Sequence, residues 1–105
     1  MHLSFSDKKI RQLCEDECFA KKTLGADIAK KLKTRLADIM AANCVTEIPT
    51  GSPKEFEING QFNIHVTIWS PHYLSFCSAH EHAPLNTVGK IDWKYVTRIK
   101  ILNLE

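Results

Sequence analysis

The feature that most constrains this chain is the stretch from Asn59 to Ile68. Asn59-Gly60 is the strongest two-residue hairpin signal, because both central positions of a type I′ turn need positive φ. The residues after it, Gln61 to Ile68, alternate strictly, with Phe62, Ile64, Val66 and Ile68 on one side of an extended strand. Such a strand buries one face and leaves the other polar, so something else in the chain must cover the apolar side. The first half supplies it. Leu24, Ile28, Ala29, Leu32, Leu36, Ile39 and Met40 form an apolar stripe at helical spacing, with Lys30, Lys31, Lys33 and Arg35 largely off it. Ile10, Leu13, Cys14 and Cys18 repeat the pattern upstream, after a candidate N-cap at Ser6. A break near Thr23-Leu24-Gly25 and a C-cap at Asn43 predict a helical hairpin over roughly residues 7 to 43.

The remaining elements follow from punctuation. Pro49, Gly51 and Pro53 mark a loop, Lys54 to Ile58 a short strand, and Ser70-Pro71 a turn into a strand over His72 to Cys77. A loop from about Ala79 to Asp92 precedes a last strand over Tyr95 to Leu104, with Ile99 and Ile101 inward. Leu3 to Phe5 is a further short strand able to pair with one edge. At 105 residues there is room for one domain and one core. The expectation is a single α+β domain over 1–105, an N-terminal helical hairpin packed on a small twisted antiparallel sheet.

Composition removes several function classes. Fourteen Lys and Arg against twelve Asp and Glu give a net charge of +2, which permits an anionic partner without demanding one. No apolar run approaches the length of a membrane helix, and the N-terminus turns charged at Asp7-Lys8-Lys9 without a signal-peptide core, so the expected setting is cytoplasmic with no membrane partner. Four cysteines without a CxxC read as free, packing thiols in a reducing compartment. His80 and His82, with Cys77 or His72, are the nearest approach to a zinc set, and a solvated loop is the stronger reading of them. No metal or other cofactor is expected.

What carries chemistry is a face. Opposite the apolar stripe the strands present Asn63, His65, Thr67, Tyr73, Arg98 and Lys100, with Lys54 entering from the first strand of the hairpin. Imidazole, phenol, guanidinium and ammonium groups with few carboxylates suit an anionic ligand. They also suit RNA cleavage without a metal, in which a base takes the 2′-OH proton, cations hold the phosphorane and an acid protonates the 5′-oxygen. In this reading His65 or Tyr73 transfers protons, and Lys54, Arg98 and Lys100 hold phosphate. The competing reading is the ordinary polar outer face of an antiparallel sheet. Six basic residues between positions 21 and 35, Lys30 and Lys33 among them, face one acid, Asp27, and form a stripe able to lie along RNA phosphates or simply to be solvated.

Several phrases carry a family resemblance. These are Leu3-Ser4-Phe5, Ala29-Lys30-Lys31-Leu32-Lys33-Thr34-Arg35-Leu36, Gly60-Gln61-Phe62, Ser70-Pro71-His72-Tyr73-Leu74-Ser75-Phe76, and the run from Gly89-Lys90-Ile91-Asp92-Trp93 to Ile101. Together they resemble the HigB-like "system killer" toxins of the RelE/ParE superfamily of type II toxin–antitoxin modules. The resemblance implies a RelE-like fold and a ribosome-dependent mRNA endonuclease, an mRNA interferase that inhibits translation. Its implied partners are a helix-turn-helix, HigA-like antitoxin, the ribosome and mRNA, and operator DNA only through the antitoxin complex. Arg98 is then placed with His65 and Tyr73 in the catalytic set, and Lys54, Lys100, Lys30 and Lys33 bind RNA. Besides lacking the acidic-Tyr-His tail that relatives usually carry after the last strand, the chain departs from the family pattern at two strand positions. Residues 54–58 carry no His, and Tyr73 stands where relatives commonly carry Arg. A RelE-fold binding module that holds an antitoxin without cleaving RNA is therefore the alternative.

Overall fold

The computed structural model describes residues 1–49, 51–69, 71–80 and 82–104. Three helices pack on one face of a five-stranded, mostly antiparallel sheet. The strands are β1 (His2–Phe5), β2 (Lys54–Ile58), β3 (Gln61–Trp69), β4 (His72–Ser78) and β5 (Arg98–Leu104), and the helices are α1 (Lys8–Glu15), α2 (Glu17–Leu24) and α3 (Ala26–Ala41). The order across the sheet is β1-β5-β4-β3-β2. The strands from β2 to β5 run antiparallel by neighbours, while β1 joins the far side parallel to β5.

The α+β layout follows the expectation, with local corrections. The expected hairpin of helices is three helices, because Asp16 ends the first early. Its backbone N–H returns to the Gln12 carbonyl at 2.9 Å, and its side chain accepts the Phe19 N–H at 3.0 Å, so one residue closes α1 and caps α2. Asp7, not Ser6, caps α1, accepting the Ile10 N–H at 2.8 Å, while Ser6 Oγ instead donates to the Leu102 carbonyl. At the far end Ala42, one residue before the expected Asn43, closes α3. The last strand starts at Arg98 rather than Tyr95. The Asp92 carboxylate accepts the Lys94 N–H at 3.3 Å and turns Trp93–Tyr95 into a single 3-10 turn. The turn at Asn59-Gly60 has φ of 52° and 81°, the paired positive values of its type. Of the Ser70-Pro71 turn, Ser70 lies outside the described residues.

The core forms where the two periodicities meet. Ile64, Val66 and Ile68 of β3, Leu74 and Phe76 of β4 and Ile99 and Ile101 of β5 point to the helices, and all are buried against Leu32, Leu36 and Ile39 of α3 and Ile10 and Leu13 of α1. The helix α2 stands further out, packing on α3 with Ala20 as its buried residue. Two members of the predicted stripes differ: Met40 is largely exposed, and Cys18 is exposed rather than packed. The segment from Ala79 to Thr97 closes the lower end of the core with Ile91, Trp93 and Val96. It is tied down twice, by the Thr97 N–H donating to His80 Nε2 at 3.0 Å and by Trp93 Nε1 donating to the Glu55 carboxylate. No described helix is long and apolar enough to cross a membrane.

Between the helices and β2, the chain passes close under β3. The Thr67 N–H donates to the Gly51 carbonyl at 2.8 Å, and the Thr67 carbonyl accepts from Arg35 Nε at 2.9 Å. Gly51 has φ of 84°, and a Cβ there would strike the Val66 side chain and lie 2.9 Å from the Thr67 carbonyl oxygen. Replacing Gly51 by Ala is therefore expected to cost at least about 2 kcal/mol, from the unfavourable φ and the overlap together. Urea unfolding of the two proteins measures it. Gly60 sits at a similar φ of 81° with open space around it, so Gly60→Ala isolates the backbone part alone and costs less.

Candidate functional site

The side of the sheet away from the helices is set by pairing register. On β3 the residues between the core positions are Asn63, His65 and Thr67. On this face Lys54 is paired with His65, Phe56 with Asn63, and Tyr73 with Thr67. Ser75 of β4 lies opposite His65 on its other side. Diagonal neighbours on one face are close enough for rings to touch. His65 is accordingly stacked between two of them: its ring centroid lies 4.2 Å from Phe56 at 25° and 4.6 Å from Tyr73 at 20°. The result is a three-ring ladder across β2, β3 and β4 with an imidazole in its centre and the Lys54 ammonium stem at its side. Phe56 itself is 44% exposed, so the ladder ends on an open ring.

The predicted residues divide into three groups. Lys54, His65 and Tyr73 stand together. Arg98 and Lys100 lie on the same face but on β5, beyond β4. Lys100 is paired with Cys77, and the Arg98 carbonyl accepts the Ala79 N–H at 2.9 Å, so they sit two and four residues along from the Ser75 row. Sheet spacings then put their backbones about 12 and about 16 Å from that of His65. Arg98 thus stands two strands away from His65 and further along the face than Lys100. Lys30 and Lys33 are on the exposed side of α3, with the sheet between them and His65. Lys33 Nζ is 3.5 Å from the Glu17 carboxylate, which Lys21 also approaches at 3.5 Å. Lys33 first, and Lys21 next, hold the Glu17 carboxyl below its ordinary range. One carboxylate therefore answers two of the six basic residues of the stripe, and Lys30 lines the same shallow groove between α2 and α3.

Sequence patterning missed two features of this face. Phe56, read as an ordinary strand residue, is the outer ring of the ladder; the alternation Lys54, Phe56, Ile58 was the available signal. Asn63 and Ser75 are buried although no helix covers them, at 6% and 7% exposure, beside Cys77, which is buried as a packing thiol is expected to be. Asn63 Oδ1 has no hydrogen-bond partner among the described residues. Burial of an acceptor without a partner costs about 1–3 kcal/mol. Cys77 has its thiol pushed up by burial, against the opposing pull of Lys100 and a hydrogen bond with Gln61.

No group of three or more His, Cys, Asp or Glu side chains among the described residues is arranged to hold a metal ion. His80 Nε2 accepts the Thr97 N–H. Elsewhere, an exposed Trp69 at the end of β3 carries the Lys31 ammonium 5.5 Å from its ring centroid. Comparison with protein-family models, with curated proteins and with solved structures gives no match to this chain.

Two outcomes follow from these surroundings. Asn63→Val removes the orphaned oxygen and is expected to leave stability unchanged or raise it by about 1 kcal/mol, read by urea unfolding; a loss of more than that shows that the amide is satisfied in solution. Behind the sheet, burial first and Glu15 second push the Cys14 thiol from its ordinary value of 9.0 up to about 11. A thiol raised on folding ionises more readily in the unfolded chain. Its contribution is whole below about 9 and is lost as pH rises towards about 11. Cys14→Ala is expected to flatten the stability profile over that window, read by urea unfolding at a series of pH values.

Proposed function

We propose that this protein is the toxin of a type II toxin–antitoxin module of the HigB/RelE kind, an endoribonuclease that cuts mRNA on the ribosome. Its fold, in this reading, is RelE-like with an added short helix and a parallel edge strand. The observation that carries the proposal is the ladder on the open sheet face, His65 between Phe56 and Tyr73 with Lys54 directly opposite. Flat rings on an exposed sheet suit unstacked bases of single-stranded RNA. Lys54 steadies the scissile phosphate, and His65 and Tyr73 are the groups within reach of the two oxygens that exchange protons. Arg98 and Lys100, further along the face, hold phosphates of the same strand beyond the cut. Lys30 and Lys33 on the opposite side contact a different stretch of RNA, that of the ribosome. The reading calls for no cofactor, and a helix-turn-helix antitoxin is its regulatory partner, through which the module reaches operator DNA.

The separation of Arg98 from His65 favours one second reading, a RelE-fold module that binds its antitoxin and RNA without cleaving. Induced expression followed by primer extension on translated messages separates the two. Cleavage predicts codon-spaced stops that fall about 10²- to 10⁴-fold with His65→Ala and strongly with Tyr73→Phe. Arg98→Ala, in contrast, weakens RNA binding and its salt dependence more than the cutting step. Wild-type protein that gives no stops at soluble expression supports the silent module. Full cutting by the His65→Ala protein overturns the assignment of the site.

A further inference from the structure

We infer that the free edge of β2 is a docking site for an extended protein segment with alternating basic and apolar side chains, added to the sheet as a sixth strand. The sheet ends at β2, whose five residues are all exposed, so the backbone groups directed away from β3 are open to a new neighbour. The other edge is a poorer template, since β1 is a four-residue strand whose Leu3 and Phe5 are already packed against the core. The side chains of β2 are sorted by face. Phe56 and Ile58, 44% and 49% exposed, stand on the open side with Lys54, while Glu55 and Glu57 stand on the helix side. An added strand lays its own alternate residues beside these, which fixes its chemistry.

The same sorting disfavours a second copy of this chain. Glu55 and Glu57 are the only helix-side residues of β2. Every face-matched pairing of two β2 edges that engages them sets at least one carboxylate against another, and the register that opposes Phe56 to Ile58 twice still meets Glu57 with Glu57. The charge reads as protection against self-pairing and as an invitation to Lys or Arg at positions i and i+2 of a different chain. Run antiparallel, the complementary segment reads apolar, basic, aromatic, basic, acidic, opposite Ile58, Glu57, Phe56, Glu55 and Lys54 in turn. Glu55 already accepts from Trp93, which leaves Glu57 as the carboxylate without a hydrogen-bond or ion-pair partner among the described residues and the main source of selectivity. Because Phe56 is the outer ring of the ladder, a strand seated here places its aromatic residue beside the open face. The inference does not depend on RNA chemistry, and a partner of this kind gains control over whatever that face binds.

The test uses the full chain and a nine-residue peptide carrying Val-Lys-Phe-Lys-Asp at its centre, with a charge-reversed peptide carrying Val-Glu-Phe-Glu-Lys as its control. Fluorescence anisotropy is expected to show saturable binding of the first peptide, with new amide-exchange protection confined to residues 54–58. Glu57→Lys is expected to weaken that binding about fivefold and to improve binding of the reversed peptide, a swap that misfolding would not produce. The variant leaves RNA cutting unchanged, so failure of this inference is distinct from failure of the functional reading. Absence of saturable binding, equal binding of both peptides to the native chain, or protection at β1 in place of β2 each overturns it.

Discussion

The open face exists because β3 is locked in one register between β2 and β4. Its side chains alternate without exception from Phe62 to Thr67, so the pairing that buries Ile64, Val66 and Ile68 under α3 also sends His65 outwards between Phe56 and Tyr73. A slip of one residue would exchange the two sets and place an imidazole under the helices. Three apolar residues buried to 4% or less make that exchange costly, and the Asn59-Gly60 turn removes the length freedom that would permit it. Core packing and site geometry are thus two results of a single alignment.

Much of this was legible in the residues. The Asn59-Gly60 turn, the alternation after it and the stripe of α3 each state a local rule strongly enough to survive in the folded protein, and they specify which face stays uncovered. What was not legible depended on short polar side chains and on contacts distant in sequence. Asp16 interrupts what periodicity reads as one helix because its carboxylate competes for the backbone, an effect with no hydrophobic signature. The start of β5 moved for the same reason at Asp92. The parallel docking of β1 on β5 and the tie from Glu55 to Trp93 join residues far apart along the chain, which periodicity does not report.

The site was legible as a face and not as a cluster. Alternation assigns Lys54, His65, Tyr73, Arg98 and Lys100 to one side, but it says nothing about how many strands separate them. That number came from the topology, with β4 standing between β3 and β5. The basic stripe of α3 showed the converse error. Lys33 counts as a free cation in the sequence, yet Glu17 from the preceding helix reaches it across the α2–α3 turn.

The position of β5 has a consequence for how the molecule comes into being. The last of the five strands in chain order, β5, is an interior strand, lying between β4 and β1, the first in chain order. Until it arrives, Leu3 and Phe5 lack their neighbours, and the sites of Ile99 and Ile101 stand empty beneath α1. Helices and the β2–β3–β4 meander can form from local contacts, but the closing of the sheet waits for β5. Whatever lacks β5 therefore keeps β1 and the meander as separate pieces, and a single strand joins them into one sheet.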